Sequence, residues 1–434
     1  MRLPLVVIVG RPNVGKSSLF NRILGRRRAI VDDQPGITRD RIYARSDWRG
    51  REFALVDTGG LLPSSQDPII SAVREQVEFA AQEADRVLFL LDWETGVTDL
   101  DESIARYLHR LKKPVIAVVN KADDEAREND PRDFPQLGFE PLIQVSAMGG
   151  RGIGELLDQA IDFPPAEKEP AAEGLRIAIV GRPNVGKSSI VNALTGKKSV
   201  VVSEIPGTTR DATDTPLRFR QQEITLVDTA GLKRRGKTKE AVEFYSQLRS
   251  ARAIERADVV WVVMDATEGL VAEDQRIIAD AYKAGKGLLL LMNKWDAVKK
   301  DTGTAEDWEK HLRKLLGEYR HLPILFVSAL RRQRLIKALE AGIGIGQERQ
   351  RRIATAQLNQ ALLPIIEASP PPTDRGKYIR IKYIAQLRTA PPLIGFFCNR
   401  PAGIAPSYQR FLERMIRQQF GFAGVPIRLT FRKK

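Results

Sequence analysis

The sequence predicts an α/β protein written twice: two mostly parallel sheets with helices on both faces, then a smaller α+β module. Three observations carry this reading. Short apolar runs alternate with amphipathic segments up to about residue 346, the pattern of a parallel sheet wrapped by helices. The segment Gly10-Arg11-Pro12-Asn13-Val14-Gly15-Lys16-Ser17 recurs letter for letter as Gly181-Arg182-Pro183-Asn184-Val185-Gly186-Lys187-Ser188. Beyond residue 346 the charge and the periodicity both change.

The first half reads as strands at Leu5–Val9, Phe53–Asp57, Val87–Leu91, Val115–Asn120 and Leu142–Val145, with helices such as Ile104–Leu111 and Gly154–Ile161 between them. Arg41–Trp48 reads as an antiparallel edge strand, joined to Phe53–Asp57 through the Arg49-Gly50 turn. The second half repeats the plan at Ile177–Val180, Glu223–Asp228, Val259–Asp265, Leu288–Asn293 and Ile324–Val327. In the tail, Gln347–Ala368 reads as a helix interrupted or ended near Pro364. Strands at Lys377–Leu387 and Leu393–Asn399, a basic helix at Tyr408–Phe420 and a last strand at Pro426–Phe431 follow. The expected domains are 1–163, a proline-containing linker at 164–174, 175–346, and a basic module at 347–434.

Composition sets the compartment. One cysteine, Cys398, excludes an intramolecular disulfide and fits a reducing environment. No run approaches the 18 apolar residues of a membrane span, and the apolar start leads straight into the first glycine-rich loop, as a strand would. The expectation is a cytoplasmic protein with no membrane partner, and a monomer. Of the net charge of +15, +12 falls in residues 347–434, which hold 16 Lys/Arg against 4 Asp/Glu. Such a module points to a polyanionic partner; a merely solvated basic face is the alternative.

The repeated octapeptide has the spelling G-x-x-x-x-G-K-[ST], a loop whose backbone N–H groups wrap nucleotide phosphates at a helix N-terminus. Lys16 and Lys187 would neutralise β/γ-phosphate charge, and the Ser17 and Ser188 hydroxyls would hold Mg²⁺. Further pairs repeat in order. Thr38 and Thr209 lie in polar segments and would reach Mg²⁺ and the γ-phosphate only in the triphosphate state. Asp57 and Asp228 end strands and would hold Mg²⁺ through water, with the N–H of Gly60 and Gly231 sensing the γ-phosphate. Asn120-Lys121-Ala-Asp123 returns as Asn293-Lys294-Trp-Asp296. A carboxylate there accepts from guanine N1–H and N2–H₂, a donor pair adenine lacks, so Asp123 and Asp296 select guanine while Asn120 and Asn293 brace the loop. Ser146-Ala147 and Ser328-Ala329 stand where a backbone N–H meets guanine O6.

These motifs match the five-motif GTPase signature in both copies. With a basic module ending Gly424-Val-Pro-Ile-Arg-Leu-Thr-Phe-Arg432, the chain resembles the Der (EngA) GTPases of bacteria along nearly its whole length. The resemblance implies two tandem P-loop GTPase domains, a C-terminal KH-like domain, GTP hydrolysis to GDP, and Mg²⁺ as cofactor. It also implies maturation of the large (50S) ribosomal subunit, with its rRNA as partner. A tRNA-modification GTPase shares the loop spelling but not the duplication, and a non-catalytic scaffold would not need both sets of Lys, Ser, Thr and Asp.

Two departures matter. The residue after Asp-x-x-Gly is Leu61 or Leu232, so the glutamine that orients water in Ras-type enzymes is missing. Related families use a K⁺ ion held partly by the asparagine at the place of Asn13 and Asn184; a loop-bracing hydrogen bond is the alternative. The second departure lies in the tail, where the sole Gly-x-x-Gly, Gly421–Gly424, joins a helix to a strand and reads as a turn and not as an RNA clamp. Contact with rRNA would then run through charge, with Arg410, Arg414 and Arg417 on one helical stripe, unless these pack against the GTPase domains.

Overall fold

The computed structural model describes residues 3–25, 43–58, 77, 80–111, 113–124, 127, 130, 132–163, 174–196, 200–202, 214–227, 239–299, 304–374 and 376–433. By its contacts the chain divides into two units, one of residues 1–171 with 235–249 and one of 172–234 with 250–434.

The first unit holds β1 (Leu5–Val9), α1 (Lys16–Gly25), β2 (Tyr43–Trp48), β3 (Arg51–Asp57), β4 (Arg86–Asp92), α2 (Asp99–Leu111), β5 (Val115–Asn120), β6 (Leu142–Gln144) and α3 (Ile153–Ala160). Its sheet runs β2-β3-β1-β4-β5-β6, parallel except for β2. The all-apolar stretches Leu5–Val9 and Val87–Leu91 are buried throughout, as strands covered on both faces must be. The expected hairpin is present: Arg49 and Gly50 both take positive φ (49° and 78°), as a two-residue turn between right-twisted strands requires.

The second unit repeats the plan with β7 (Leu175–Val180), α4 (Lys187–Thr195), β8 (Val201–Val202), β9 (Thr215–Phe219), β10 (Gln222–Val227), α5 (Lys239–Arg256, of which only the part from Ser250 belongs to this unit), β11 (Val259–Asp265), α6 (Ala272–Lys283), β12 (Gly287–Asn293), α7 (Thr304–Leu315), β13 (Ile324–Phe326) and α8 (Leu335–Gln350). The sheet order is β13-β12-β11-β7-β10-β9-β8, where the two-residue edge strand β8 was not legible in the sequence. Then come α9 (Thr355–Ala368), β14 (Ile381–Arg388), β15 (Leu393–Cys398), α10 (Pro406–Phe420) and β16 (Arg428–Lys433). In this last sheet β15 is central, antiparallel to β14 and parallel to β16.

The tail differs from expectation in two ways. The helix expected at Gln347–Ala368 is two helices, broken at Arg351–Ala354 and not at Pro364, which lies inside α9. The break is tertiary: the Gln386 side chain accepts from Ile353 N–H (2.7 Å) and Ile353 is buried, while Leu358, Leu362 and Ile366 hold α9 down on both sides of its proline. The tail is also not a separable appendage. One continuous apolar core runs from Ile177 and Trp261 through Leu339 and Ile345 to Phe396, Leu412 and Ile427. Glycines let α8 close on the sheet, since a Cβ on Gly342 would meet Trp261 Nε1 at 2.9 Å and one on Gly346 would meet Leu175 at 2.6 Å. Leu288 N–H, at the start of β12, donates to Gly424 O (2.7 Å).

Of the three arginines expected on a basic stripe, Arg410 and Arg414 are exposed and Arg417 is not. The Arg417 guanidinium donates to Glu413 (2.8 Å), to Phe422 O and Val425 O (both 3.0 Å), and to the Tyr282 hydroxyl of α6 (3.2 Å). It is an interface residue. Gly421 ends α10 and Gly424 turns into β16, so the Gly-x-x-Gly is the helix–strand turn that was expected.

Gly424 tests the shared core. Its φ is +71°, and a Cβ there would meet Leu288 O at 2.7 Å and Ile345 at 2.9 Å. Gly424→Val should cost about 2 kcal/mol or more in urea unfolding, from left-handed strain plus overpacking. Ala423→Val next to it, at an exposed position, should change stability by no more than about 0.5 kcal/mol.

Candidate nucleotide-binding sites

Both octapeptides leave the C-terminal end of a central strand, β1 or β7, and enter a helix, α1 or α4, with no acidic residue in its first turn. The open N–H groups of such a terminus, with the helix dipole behind them, favour an anion. Gly15 and Gly186 sit at φ +93° and +96°, and Asn13 and Asn184 at +65° and +64°, a conformation asparagine tolerates. A Cβ on Gly15 would lie 2.3 Å from Asn120 Nδ2, and one on Gly186 the same distance from Asn293 Nδ2. Glycine is therefore required there by both φ and space.

The cradle is tied to the base end of each site by one carboxamide. Asn120 Nδ2 donates to Val14 O (2.8 Å), and its Oδ1 accepts from Ala147 N–H (3.0 Å). Asn293 repeats this with Val185 O (2.8 Å) and Ala329 N–H (3.0 Å). Asp123 accepts from the Ser146 hydroxyl at 2.6 Å, and Asp296 is half-buried in the turn after β12. Asp57, at the end of β3, accepts from the Ser17 hydroxyl at 2.7 Å. A hydroxyl and a carboxylate brought together beside a phosphate cradle are hard oxygen donors of the kind Mg²⁺ takes, so the pair fits that ion. Thr38, Gly60, Thr209, Asp228 and Gly231 lie outside the described residues.

Lys16 Nζ donates to Gly10 O (3.0 Å) and Arg11 O (2.7 Å), and Lys187 Nζ to Gly181 O (2.7 Å) and Arg182 O (2.6 Å). Burial pushes both ammonium groups down from the ordinary lysine value to about 8. Asn13 and Asn184 are exposed, and neither side chain has a hydrogen-bond partner among the described residues.

Two carboxylate pairs at the rim escaped the sequence reading. Arg11 Nε donates to Asp101 at the start of α2 (3.2 Å), and Arg182 Nε to Asp274 at the start of α6 (3.0 Å). Burial raises both carboxyls, against the opposing pull of the arginines. Lys121 and Lys294, at positive φ, reach back to Asp92 (2.7 Å) and Asp265 (2.5 Å) at the ends of β4 and β11. Burial alone would raise these two carboxyls, but the lysine contacts, together with hydrogen bonds from Glu94 N–H to Asp92 and from Thr267 to Asp265, outweigh it and both end below the usual carboxylate range. The signal was available: Asp92/Asp265 and Asp101/Asp274 share the 173-residue offset of Asn120/Asn293.

Comparison with known proteins agrees with this geometry. A family model described as 50S ribosome-binding GTPase matches residues 5–121 and again 176–294. A second, the KH-domain-like C-terminal domain of EngA bacterial GTPase enzymes, matches 352–432. Proteins named GTPase Der are similar along the whole chain. That of Flavobacterium johnsoniae is 49% identical over 433 residues, covering 99% of each chain. That of Moorella thermoacetica is 46% identical, covering 100% of this chain and 99% of its own.

The buried lysines give a pH prediction. Phosphates placed beside Lys16 or Lys187 favour the charged ammonium, so binding raises a pKa that starts at about 8. Affinity for GTP should therefore be at its plateau below about pH 8 and fall as pH rises through that value, with proton uptake on binding near pH 8.5. Calorimetric titration in buffers of different ionisation enthalpy reads that uptake. Enthalpies near pH 8.5 that do not depend on the buffer would contradict it.

Proposed function

Since the chain belongs to the Der (EngA) family of bacterial GTPases, and so binds and hydrolyses GTP with P-loop domains, we propose that it acts as a nucleotide-controlled switch in maturation of the large (50S) ribosomal subunit. The observation that carries this reading is the cradle built twice, with each glycine-rich loop pinned to the turn holding Asp123 or Asp296. The match to a ribosome-binding GTPase family and the +12 charge of residues 347–434 support the subunit and its rRNA as partner.

In this reading Asp123 and Asp296 accept the paired guanine N–H donors, and the N–H of Ala147 or Ala329 faces O6. Lys16 and Lys187 leave their carbonyl partners for the β/γ-phosphates. Ser17 and Asp57, with Ser188 and Asp228 in the second copy, would hold Mg²⁺, which would supply stabilisation of the phosphate charge. Thr38, Thr209, Gly60 and Gly231 are the groups that would follow the γ-phosphate. Leu61 and Leu232 cannot orient water through a hydrogen bond, so a monovalent cation beside the exposed Asn13 and Asn184 amides is part of the proposal. The domain scheme is 1–163, 175–346 and a KH-like 347–434, acting as a monomer in the cytoplasm.

Three measurements test this. Asp296→Asn should lose about 2–4 kcal/mol of GTP affinity at the second site, because an amide faces donors with a donor. Xanthine nucleotides, with a carbonyl at C2, should gain there; equal GTP and XTP binding by variant and wild type would end the guanine assignment. Replacing K⁺ with Na⁺ at constant ionic strength should slow turnover, and indifference to the exchange removes the cation. Co-sedimentation with large subunits should depend on nucleotide and weaken as salt rises. Because the tail shares a core with the second GTPase domain, that experiment belongs on the full chain and not on a truncation at residue 346.

A further inference from the structure

The two sites share a turn but not its side chains. Asp92-Trp93-Glu94-Thr95-Gly96 follows β4, and Asp265-Ala266-Thr267-Glu268-Gly269 follows β11. The backbones match. Glu94 N–H donates to the Asp92 carboxylate (3.0 Å) and Thr267 N–H to that of Asp265 (2.9 Å). The N–H groups of Gly96 and Gly269 close the turns on Asp92 O and Asp265 O, both at 3.0 Å, with φ of 73° and 78°. What differs is the order of one glutamate and one threonine. Both glutamate side chains are 54% exposed, so packing dictates neither position.

That exchange moves one carboxylate from the base end of a site to its phosphate end. In the first copy Glu94 accepts from Lys121 (3.2 Å), which already has Asp92 (2.7 Å), so two carboxylates hold the turn that carries Asp123. Arg127 ties the same turn again: it lies 3.8 Å from Glu94, stacks over Trp93 at 4.7 Å and donates to Lys121 O (3.4 Å). At the phosphate end, Arg11 hydrogen-bonds Asp101 (3.2 Å) and no other carboxylate among the described residues, with Asp92 at 3.7 Å. The second copy reverses the arrangement. Lys294 has Asp265 (2.5 Å) as its single carboxylate partner among the described residues, and the Thr267 hydroxyl donates to that same carboxylate (2.6 Å). Arg182 is instead held at two nitrogens, by Asp274 (3.0 Å) and by Glu268 (2.8 Å). The carbonyl of this arginine is the one on which Lys187 rests at 2.6 Å, so the second carboxylate steadies the cradle itself.

We propose that Glu94 and Glu268 are positioning residues that make the two sites unequal, Glu94 bracing the base end of the first and Glu268 the phosphate end of the second. Each acts through a neighbour, Lys121 or Arg182, and not on the nucleotide itself. A long charged side chain held by two carboxylates is ordered before the ligand arrives, so binding does not bear that ordering cost. A brace on the Asp123 turn strengthens the contact that reads the N–H donors of the base, a gain for guanine over a base that lacks one of them. A brace on Arg182 strengthens the grip on phosphates, which every nucleoside diphosphate presents alike. The first site is therefore the stricter reader of the base, and the second is led by the phosphates. The proposal rests on the reading in which Asp123 and Asp296 accept the guanine N–H donors, and adds which outer carboxylate supports each copy.

The test exchanges the pair within each turn of the full-length protein, which keeps composition and net charge: Glu94→Thr with Thr95→Glu in the first copy, Thr267→Glu with Glu268→Thr in the second. All four side chains are exposed, and thermal unfolding of both variants should match wild type. A Lys187→Ala background reads the first site and a Lys16→Ala background the second. Two-site calorimetry on chains with both lysines intact repeats the measurement without those variants. The probes are GDP and IDP, whose hypoxanthine keeps N1–H but lacks the amino group at C2. In wild type the preference for GDP over IDP should be larger at the first site. The first exchange should tighten IDP about threefold and leave GDP near its wild-type affinity, because a phosphate brace is gained as the base brace is lost. The second exchange should weaken IDP by about the same factor, again with GDP little changed. IDP affinities within about 1.5-fold of wild type after both exchanges overturn the proposal, as does an equal change for GDP and IDP at the first site, the mark of a merely structural role. Wild-type sites that bind GDP and IDP alike overturn the guanine assignment together with the proposal. Wild-type sites that prefer GDP, with IDP unmoved by either exchange, overturn the proposal alone.

Discussion

One carboxamide per site holds each nucleotide-binding domain to its geometry. Asn120 and Asn293 each bond a carbonyl of the phosphate loop and an N–H of the loop after β6 or β13, and all four backbone partners are buried. Removing one side chain would strand two buried backbone groups, each costing about 1–3 kcal/mol. The glycine facing each Nδ2 at 2.3 Å (as measured to a notional Cβ) is the other half of the constraint, since any larger residue would displace the amide. The distance between the phosphate end and the base end of a nucleotide is thereby built into the protein before the nucleotide arrives. Preorganisation of this kind lowers the ordering cost of binding.

A second set of contacts shapes the rim. Arg11 and Arg182 leave the phosphate loop to meet buried Asp101 and Asp274, so the second residue of each octapeptide points away from the cradle and anchors a neighbouring helix. Lys121 and Lys294 do the same for the base loop through Asp92 and Asp265. Breaking such a pair would leave a buried carboxylate without its cation, which is costlier than never having had the pair. That the same two contacts recur in both halves shows a duplicated framework beneath the duplicated motifs.

Most of this was legible in the sequence for a stated reason. Strands buried on both faces are runs such as Val-Val-Ile-Val or Leu-Leu-Leu-Leu, and phosphate loops have a spelling imposed by glycine's conformational range. What escaped is what long-range packing decides. The break at Arg351–Ala354 comes from a bond to Gln386 on a distant strand, and Pro364 survives inside α9 because apolar neighbours hold the helix. Arg417 looks like its exposed neighbours Arg410 and Arg414 on a helical wheel, and only the arrival of Tyr282 and the Phe422 and Val425 carbonyls makes it structural. The fusion of the tail with the second GTPase core has no local signature at all, because both partners are ordinary apolar surfaces.

That fusion bears on how the chain matures as it is made. Synthesis runs from the N-terminus, and domains fold as units when their residues are available. The strands of the first sheet and its cradle all precede α3, whereas β12, which positions Asn293, keeps one terminal amide for Gly424 O in the C-terminal module. The second cradle therefore reaches its final support only after the C-terminal module has been made as far as Gly424. A nascent chain would carry the first phosphate loop and its base-end partner while the segment that supports the second is still to be added.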